Sequence, residues 1–345
     1  INMTNYAPFD TRPNFEATES DISVALLTDH LNTTKSKLAK QIGKRGVMEV
    51  LGDMQLLVGP PEQLCISNAA LMMFCEHLDK FFPYTQVEIT KFPEGSIKNP
   101  NNFIEVPVIK GSVPTMIKRT MEKLQDMVIE EKVTKVDYQM EAIRRYSYPY
   151  QALEEAVVNA FYHRDYQSYQ AIIIEIEPDC VRIISYPGID RSISQKTIAE
   201  GERFKSRYYR NKRLGEFLKE LDLTEGKSTG IPTIQEELRD NGSPKATFET
   251  DDERRAVTVE IPIHPDFLME QGEPQNEPQN EPQNATSVED AILQLIRMNK
   301  YVTREEMASQ IEVSLSTVKR SINKLKTSGI IEYEGPSKGG YWSIK

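Results

Sequence analysis

Between Glu273 and Asn284 the tetrapeptide Glu-Pro-Gln-Asn occurs three times in succession. Each copy holds a proline, which removes a backbone donor and breaks a helix, and none of its residues is apolar enough to bury. Such a segment is an extended tether, a spacer rather than a binding element. Whatever folds must fold on either side of it. The surrounding patterns predict a mixed α/β N-terminal region over 1–140 and a second domain over 141–268. A linker over 269–285 and a compact third unit over 286–345 follow.

A 39% hydrophobic share over 345 residues is enough to build cores, which excludes global disorder. No apolar run of about 18 residues occurs, so no membrane-spanning helix is expected. The opening residues Ile1–Tyr6 lack the basic and apolar regions of a signal peptide. The three cysteines, Cys65, Cys75 and Cys180, fit neither a disulfide framework nor a zinc motif, so a reducing, cytoplasmic setting is expected. Cys65, Cys75 and His77 lie close in sequence but read as parts of a core helix. The chain opens on Ile1, not on methionine, which suggests a piece of a longer protein.

The net charge of −10 argues against a polyanion binder along the whole length. From Ala285 onward, however, nine Lys/Arg stand against seven Asp/Glu, a balance of +2, which leaves −12 for the rest. A nucleic-acid partner would meet the C-terminal unit.

Periodicity predicts helices over 21–31, 65–78 and 112–131, the second ended by Phe81-Phe82-Pro83, and a strand over 87–92. In the middle block Pro149 opens a helix whose stripe is Leu153, Ala156, Val157, Ala160 and Phe161. Residues 171–177 and 181–186 read as a hairpin turning at Pro178-Asp179. Leu214, Phe217, Leu218 and Leu221 mark a further helix. Ile231, Ile234 and Leu238 mark another, stopped near Gly242. Val257, Val259, Ile261 and Ile263 alternate as a closing strand. The expectation is an α+β sandwich of helices packed on an antiparallel sheet. After the tether, a first helix carries Val288, Ile292, Leu295 and Ile296. Thr303 and Glu306 form a capping box for a second. Ser314 or Ser316 starts a third, with Leu315, Val318, Ile322 and Leu325 inward, and strands 330–334 and 341–344 follow. Three helices and a β-hairpin make a winged helix-turn-helix.

Two constellations carry chemistry. On the helix after Pro149, Glu155 and Asn159 stand one turn apart, off the apolar stripe. A carboxylate and an amide so placed could orient a water and ligate Mg²⁺ between phosphates, or simply be solvated. On the third helix of the winged unit, Ser316, Thr317, Lys319, Arg320, Asn323 and Lys324 point outward. Hydroxyls at the helix start suit phosphates, Arg and Asn suit base edges, and Lys338 in the wing suits a backbone phosphate. Contacts to protein alone would be the bland use of such a unit. Lys205, Arg207, Arg210 and Arg213, with Tyr208 and Tyr209 between them, form a basic stretch that suits a phosphate-contacting lid or a solvated loop.

The string Glu155-Ala-Val-Val-Asn159-Ala160-Phe-Tyr-His163-Arg164-Asp165-Tyr166, then Tyr186-Pro187-Gly188, Arg210-Asn211 and Glu225-Gly226-Lys227-Ser228-Thr229-Gly230-Ile231, resembles the RecG-like putative transcriptional regulator family. Phe9-Asp10-Thr11-Arg12-Pro13, Ser67–Phe74 and Phe81-Phe82-Pro83 are similar to it as well. The resemblance covers residues 9 to about 265. It implies a divergent histidine-kinase-like (GHKL) ATPase domain with a C-terminal helix-turn-helix, and a chain that starts just after a Schlafen AlbA-type domain. By this likeness Glu155 matches the general base and Asn159 the Mg²⁺ ligand. Gly188, Arg210, Gly226 and Gly230 are the candidate nucleotide contacts. The adenine-loop aspartate of gyrase, MutL and sensor-kinase ATPases has no counterpart in register; Asp190 is close but displaced. His163 and Arg164 are expected to serve the carbonyls at a helix end. No Walker motif Gly-x-x-x-x-Gly-Lys-Ser/Thr is present.

The leading expectation is a cytoplasmic DNA-binding transcriptional regulator that binds duplex DNA through its C-terminal unit, with a regulatory nucleotide site for ATP and Mg²⁺. A Mg²⁺-dependent ATP hydrolase and a non-enzymatic scaffold are the alternatives. The oligomer, a homodimer included, is open.

Overall fold

In the computed structural model of the chain the described residues are 7–134, 143–201, 209–223, 230–268, 288–311, 313, 315–327, 330–334 and 340–344. They belong to two units, Ile1–Pro274 and Gln275–Lys345, whose division falls inside the repeat. The expected linker 269–285 lies outside the described residues.

The first unit begins with α1 (Val24–Thr33), α2 (Val47–Asp53), β1 (Leu57–Val58), β2 (Cys65–Ile66), α3 (Asn68–Phe74), β3 (Val87–Lys91), β4 (Ile104–Glu105) and α4 (Val113–Val128). It continues with β5 (Glu131–Thr134), β6 (Ile143–Tyr146), α5 (Tyr150–Tyr162), β7 (Ile172–Ile176), β8 (Cys180–Ser185), α6 (Gln195–Ala199) and α7 (Lys212–Glu220). It closes with α8 (Gly230–Asn241), β9 (Thr247–Thr250), β10 (Val257–Pro262) and α9 (Pro265–Leu268). The helix expected over 65–78 is shorter than its apolar run. Ser67 Oγ accepts the Ala70 N–H and fixes the start of α3, while Cys65 and Ile66 pair with β1 instead.

Six strands make one sheet in the order β4-β3-β7-β8-β10-β9. The expected hairpin is β7–β8, with Ile174 opposite Ile183. Helices lie on this sheet in an α+β architecture, but the sheet is mixed, not wholly antiparallel. β3 runs parallel to β7, pairing Val87 with Ile172 and Ile89 with Ile174. Parallel neighbours need a long crossover, and here it contains α4, the β5–β6 hairpin and α5. The same pairing carries a strand of region 1–140 into the sheet of 141–268. No core boundary falls near residue 140, because one hydrophobic cluster runs from Ile22 to Phe267.

Across five strands the register aligns Ile89, Ile174, Ile183, Val259 and Phe248 in a single row. α5 buries Leu153, Ala156, Val157, Ala160 and Phe161 in the same cluster. The opposite face holds a charge row in which Arg182 meets Glu175 at 2.9 Å and Glu260 at 3.2 Å. Two cross-strand pairs share one guanidinium there, so this face tolerates partial exposure.

Two side chains knit distant segments. Asp10 is fully buried, and its Oδ2 accepts the N–H groups of Arg213 (2.6 Å) and Leu214 (3.0 Å). It therefore caps α7 from the other end of the unit. Asn211, also fully buried, donates through Nδ2 to the carbonyls of Tyr162 (2.9 Å) and Arg164 (2.8 Å) at the end of α5.

The second unit is α10 (Val288–Met298), α11 (Arg304–Ile311), α12 (Leu315–Thr327), β11 (Ile331–Glu334) and β12 (Tyr341–Ile344). The capping box is formed: Glu306 Oε2 accepts the Thr303 N–H at 2.8 Å, and Thr303 Oγ1 accepts the Glu306 N–H at 3.2 Å. Ile292, Met307, Val318 and Ile322 are completely buried. The buried Trp342 donates its backbone N–H to the Lys300 carbonyl (2.8 Å) and its indole N–H to the Val302 carbonyl (3.0 Å). Residues 300–302 are thereby laid along β12.

Asp10→Ala leaves two buried N–H groups of α7 without an acceptor, which should cost about 1–3 kcal/mol. The urea midpoint of the intact chain measures it, with the m-value unchanged.

Candidate functional site

α5 presents Glu155 and Asn159 half-buried at the edge of its apolar stripe. Asn159 Nδ2 donates to Glu155 Oε1 at 3.0 Å. Beside Asn159 opens a cavity of about 190 Å³. Its apolar walls come from Ala156 and Ala160 of α5 and from Ile183, Val257, Val259 and Phe248 of the sheet. Its polar lining comes from Asn159, Ser185, Asp190 and Arg210. One end is closed by Gly230, Ile231 and Pro232, the first residues of α8.

Gly230 sits on the Glu155/Asn159 pair. A Cβ at this position would lie 2.5 Å from Asn159 Nδ2 and 2.6 Å from Glu155 Oε1. The start of α8 thus approaches the pair as closely as backbone allows, and helix N-termini attract anions. Gly188 also lines the cavity, but its missing side chain has a packing reason: a Cβ there would run into Thr250 and the Ala256 carbonyl. Gly226 lies outside the described residues, as do Lys205, Arg207 and Tyr208.

The basic stretch divides. Arg210 and Tyr209 reach the cavity. Arg213 turns away, donating to the Met54 carbonyl at 2.7 Å and pairing with Glu216 at 2.6 Å. His163 and Arg164 divide as well. His163 lines the cavity, in a ring stack with Tyr162 and Tyr209. Crowding and then the Arg210 charge push its pKa down. Neutral imidazole is the form at pH 7. Arg164 is buried and donates to the Tyr84 carbonyl at 2.9 Å, so the carbonyls ending α5 are served by Asn211 rather than by Arg164.

Asp190 lies on the cavity wall despite standing out of register with an adenine-loop aspartate. Hydrogen bonds from Ser192, first its hydroxyl and then its N–H (2.8 Å), lower the Asp190 pKa, and Arg210 and Arg254 add to this. Ser185 is buried at the end of β8, at the floor of the same cavity. Phe248 was invisible in the sequence reading, because β9 is a four-residue edge strand with a single buried position. No cluster of three or more metal-ligating side chains occurs among the described residues.

On α12 of the second unit, Val318, Ile322 and Leu325 are buried, while Lys319 and Arg320 are exposed. Thr317 is half-buried. Ser316, Asn323 and Lys324 lie on this helix with side chains outside the described residues, and Lys338 is outside them altogether. Neither Lys319 nor Arg320 pairs with a carboxylate among the described residues. In the first unit Arg45, Lys80, Lys110, Arg144, Arg182, Arg239 and Arg255 all do.

Residues 170–260 match the family model described as "Putative ATP-dependent DNA helicase recG C-terminal", and residues 288–341 match an HTH domain. The chain carries a RecG C-terminal-like ATPase domain followed by a helix-turn-helix domain. The crystal structure of the DIP2311 protein from Corynebacterium diphtheriae is similar in fold, with a TM-score of 0.57 and 15% identity. The likeness covers 99% of this chain and 65% of that one, so the chain spans about two thirds of its structural relative. A search of curated proteins finds no match. The matched span of the ATPase-like domain supplies the strands β7 to β10, the loop after β8, Arg210 and α8, while β3 and β4 of the same sheet lie upstream of it. Glu155 and Asn159 lie upstream of it, on the helix that the same sheet packs against. No helix among the described residues is long and apolar enough to cross a membrane.

Gly230→Ala in the ATPase-like domain should cost about 1–3 kcal/mol by overpacking against Asn159 and Glu155. Gly52→Ala, in α2 with Leu57 Cδ1 as its nearest neighbour at 3.7 Å, should instead gain up to about 1 kcal/mol. Parallel urea titrations of the two variants check the contrast.

Proposed function

We propose that the chain is a DNA-binding transcriptional regulator whose ATPase-like domain takes ATP with Mg²⁺ as its regulatory ligand. The observation that carries the DNA half is the exposed pair Lys319 and Arg320 on α12 of the helix-turn-helix domain, neither of which meets a carboxylate among the described residues. Duplex DNA is the partner; Lys338 in the wing would add a phosphate contact. A cytoplasmic setting fits this reading.

The cavity supports the nucleotide half. Its apolar walls suit a base, and its polar end gathers Asn159, Arg210 and the N-terminus of α8, which suit phosphates and a hydrated cation. The Asn159 amide nitrogen is engaged by Glu155, which leaves the amide oxygen as the atom to hold Mg²⁺. Bound ATP would supply a ligand whose occupancy differs with the energy state of the cell. The residues present hold and orient it whether or not it is cleaved.

The same Asn159–Glu155 contact favours one second reading, Mg²⁺-dependent hydrolysis. There Glu155 takes the proton of a water held beside the pair. Equilibrium binding of labelled ATP and ADP, with and without Mg²⁺, tests both. Asn159→Ala should abolish Mg²⁺-dependent binding. Glu155→Gln should spare binding and stop any turnover. Unchanged affinity in Asn159→Ala removes the metal role. For DNA, Arg320→Ala should cost about 1–3 kcal/mol and relax base preference. Selection from a genomic fragment pool followed by salt-resolved titration reads both quantities.

A further inference from the structure

One wall of the cavity in the ATPase-like domain is held from outside. Segment 189–193, after β8, supplies Ile189, Asp190 and Ile193 to the lining. The two isoleucines pack on the core, while Asp190, Arg191 and Ser192 are exposed, so a single layer of chain separates the cavity from solvent here. The segment is compact in itself: the Ile193 N–H donates to the Asp190 carbonyl at 3.0 Å, and the Ser192 N–H to Asp190 Oδ1 at 2.8 Å. Arg254, in the turn 251–256 between β9 and β10, does not line the cavity, yet its guanidinium donates to the carbonyls at both ends of the segment. Ile193 is met at 2.8 Å and Ile189 at 3.3 Å. We propose that Arg254 is a positioning residue that latches segment 189–193 shut over the bound nucleotide, so that breaking this latch sets the rate of nucleotide release. The inference rests on the nucleotide-binding reading above.

Three observations point the same way. First, the guanidinium is directed to the segment although acids stand beside it in sequence. Arg255 takes both of them, meeting Asp251 at 2.9 Å and Glu253 at 3.0 Å, while Arg254 pairs with no carboxylate among the described residues. Charge-assisted bonds to carbonyls are stronger than neutral ones. Second, the backbone is held in a costly shape at this residue. Arg254 has φ 57°, a region that side chains other than glycine rarely adopt, and such strain collects where a function keeps it. In that shape the Arg254 carbonyl accepts the Gly188 N–H at 3.0 Å, just before the segment begins. Third, the turn is a stiff support. Its N–H groups at Arg255 (2.6 Å) and Ala256 (3.3 Å) donate to Asp251 Oδ1, and the Thr250 hydroxyl donates to the Ala256 carbonyl at 2.6 Å. Arg191 of the segment adds a bond to the Glu253 carbonyl at 3.1 Å.

The same geometry makes opening rare but reachable. The segment lies at the surface, so water can replace the guanidinium at the Ile189 and Ile193 carbonyls, and the net cost of opening is that of exchanging charge-assisted bonds for hydrated groups. Losing one such bond moves an equilibrium by about tenfold. Arg254 also lines an open depression of about 680 Å³ on its other side, with Tyr186, Pro187 and Asp251. The place of its side chain is therefore within reach of a small cation from solvent.

The test follows association and release of fluorescently labelled ATP with Mg²⁺ on the full chain by stopped flow. Arg254→Gly removes the guanidinium, and glycine adopts φ 57° without strain, so the turn keeps its shape. Release should speed up about tenfold while association stays within about twofold, the loss falling on one latch bond or more. Millimolar methylguanidinium should slow release again in Arg254→Gly and leave the parent unchanged, an effect that a merely structural role does not give. Arg254→Lys keeps the charge but reaches one carbonyl at a time, and its release should fall between the two. Thermal unfolding of each variant confirms folding; if Arg254→Gly does not fold, Arg254→Lys decides. If the parent binds nucleotide and the folded variants release it at the parental rate, the inference is overturned while the nucleotide reading stands. Weaker binding that comes wholly from slower association also overturns it. If the parent binds no nucleotide, that reading fails and takes the inference with it.

Discussion

The Asp10 carboxylate is the tie on which the geometry of the first unit depends. It is buried, it accepts two N–H groups at the start of α7, and the segment that brings it there is more than 200 residues away in sequence. Burial raises its pKa against the lowering effect of those same hydrogen bonds, so the ion is held at a cost that packing offsets. One residue before α7, Asn211 binds the last carbonyls of α5. α5 carries Glu155 and Asn159, and the two residues just before Asn211 are Tyr209 and Arg210 on the cavity wall. One chain of contacts therefore fixes both the pair and the cation that face the same space. Tyr162 completes it. Its ring stacks on Tyr209 at 5.4 Å and fills the place where a Cβ of Gly215 in α7 would stand. A glycine there lets α7 pass close enough for Asp10 and Asn211 to reach both helices.

Elements that rely on local pattern were legible in the sequence. α4 follows its stripe of Val113, Ile117, Met121, Leu124 and Val128, with Ser112 as its cap. The β7–β8 hairpin, α7, α8 with Gly242 behind it at φ 83°, and the capping box of α11 all follow from residues near in sequence. What was not legible is non-local. Nothing in Val87–Lys91 says that its neighbour will be a parallel strand more than eighty residues later. Cys65 and Ile66 continue an apolar run, and only the Ser67 hydroxyl, which can accept a helical N–H, marks the break. Asp10 reads as an ordinary polar residue in a proline-flanked stretch, since its partners are backbone atoms that any sequence supplies. The cavity shows the same division. Asn159 and Arg210 stand in recognisable strings, whereas Phe248 and Val259 become cavity walls only because the register stacks them beside Ile183.

The distribution of charge says more than its total. The chain as a whole carries −10, which by itself disfavours DNA. Pairing, though, is uneven. In the first unit a single guanidinium, Arg182, meets three carboxylates, and Arg45, Lys80, Lys110, Arg144, Arg239 and Arg255 also pair with carboxylates. Among the described residues of the second unit, Lys319 and Arg320 of α12 have no carboxylate partner, and Glu306 is engaged in capping a helix. A paired surface cation must lose its partner before it can bind a phosphate, and an unpaired one need not. The negative charge upstream acts over a screening length of about 8–10 Å at ordinary salt, so the local pairing of each cation decides more than the total charge of the chain.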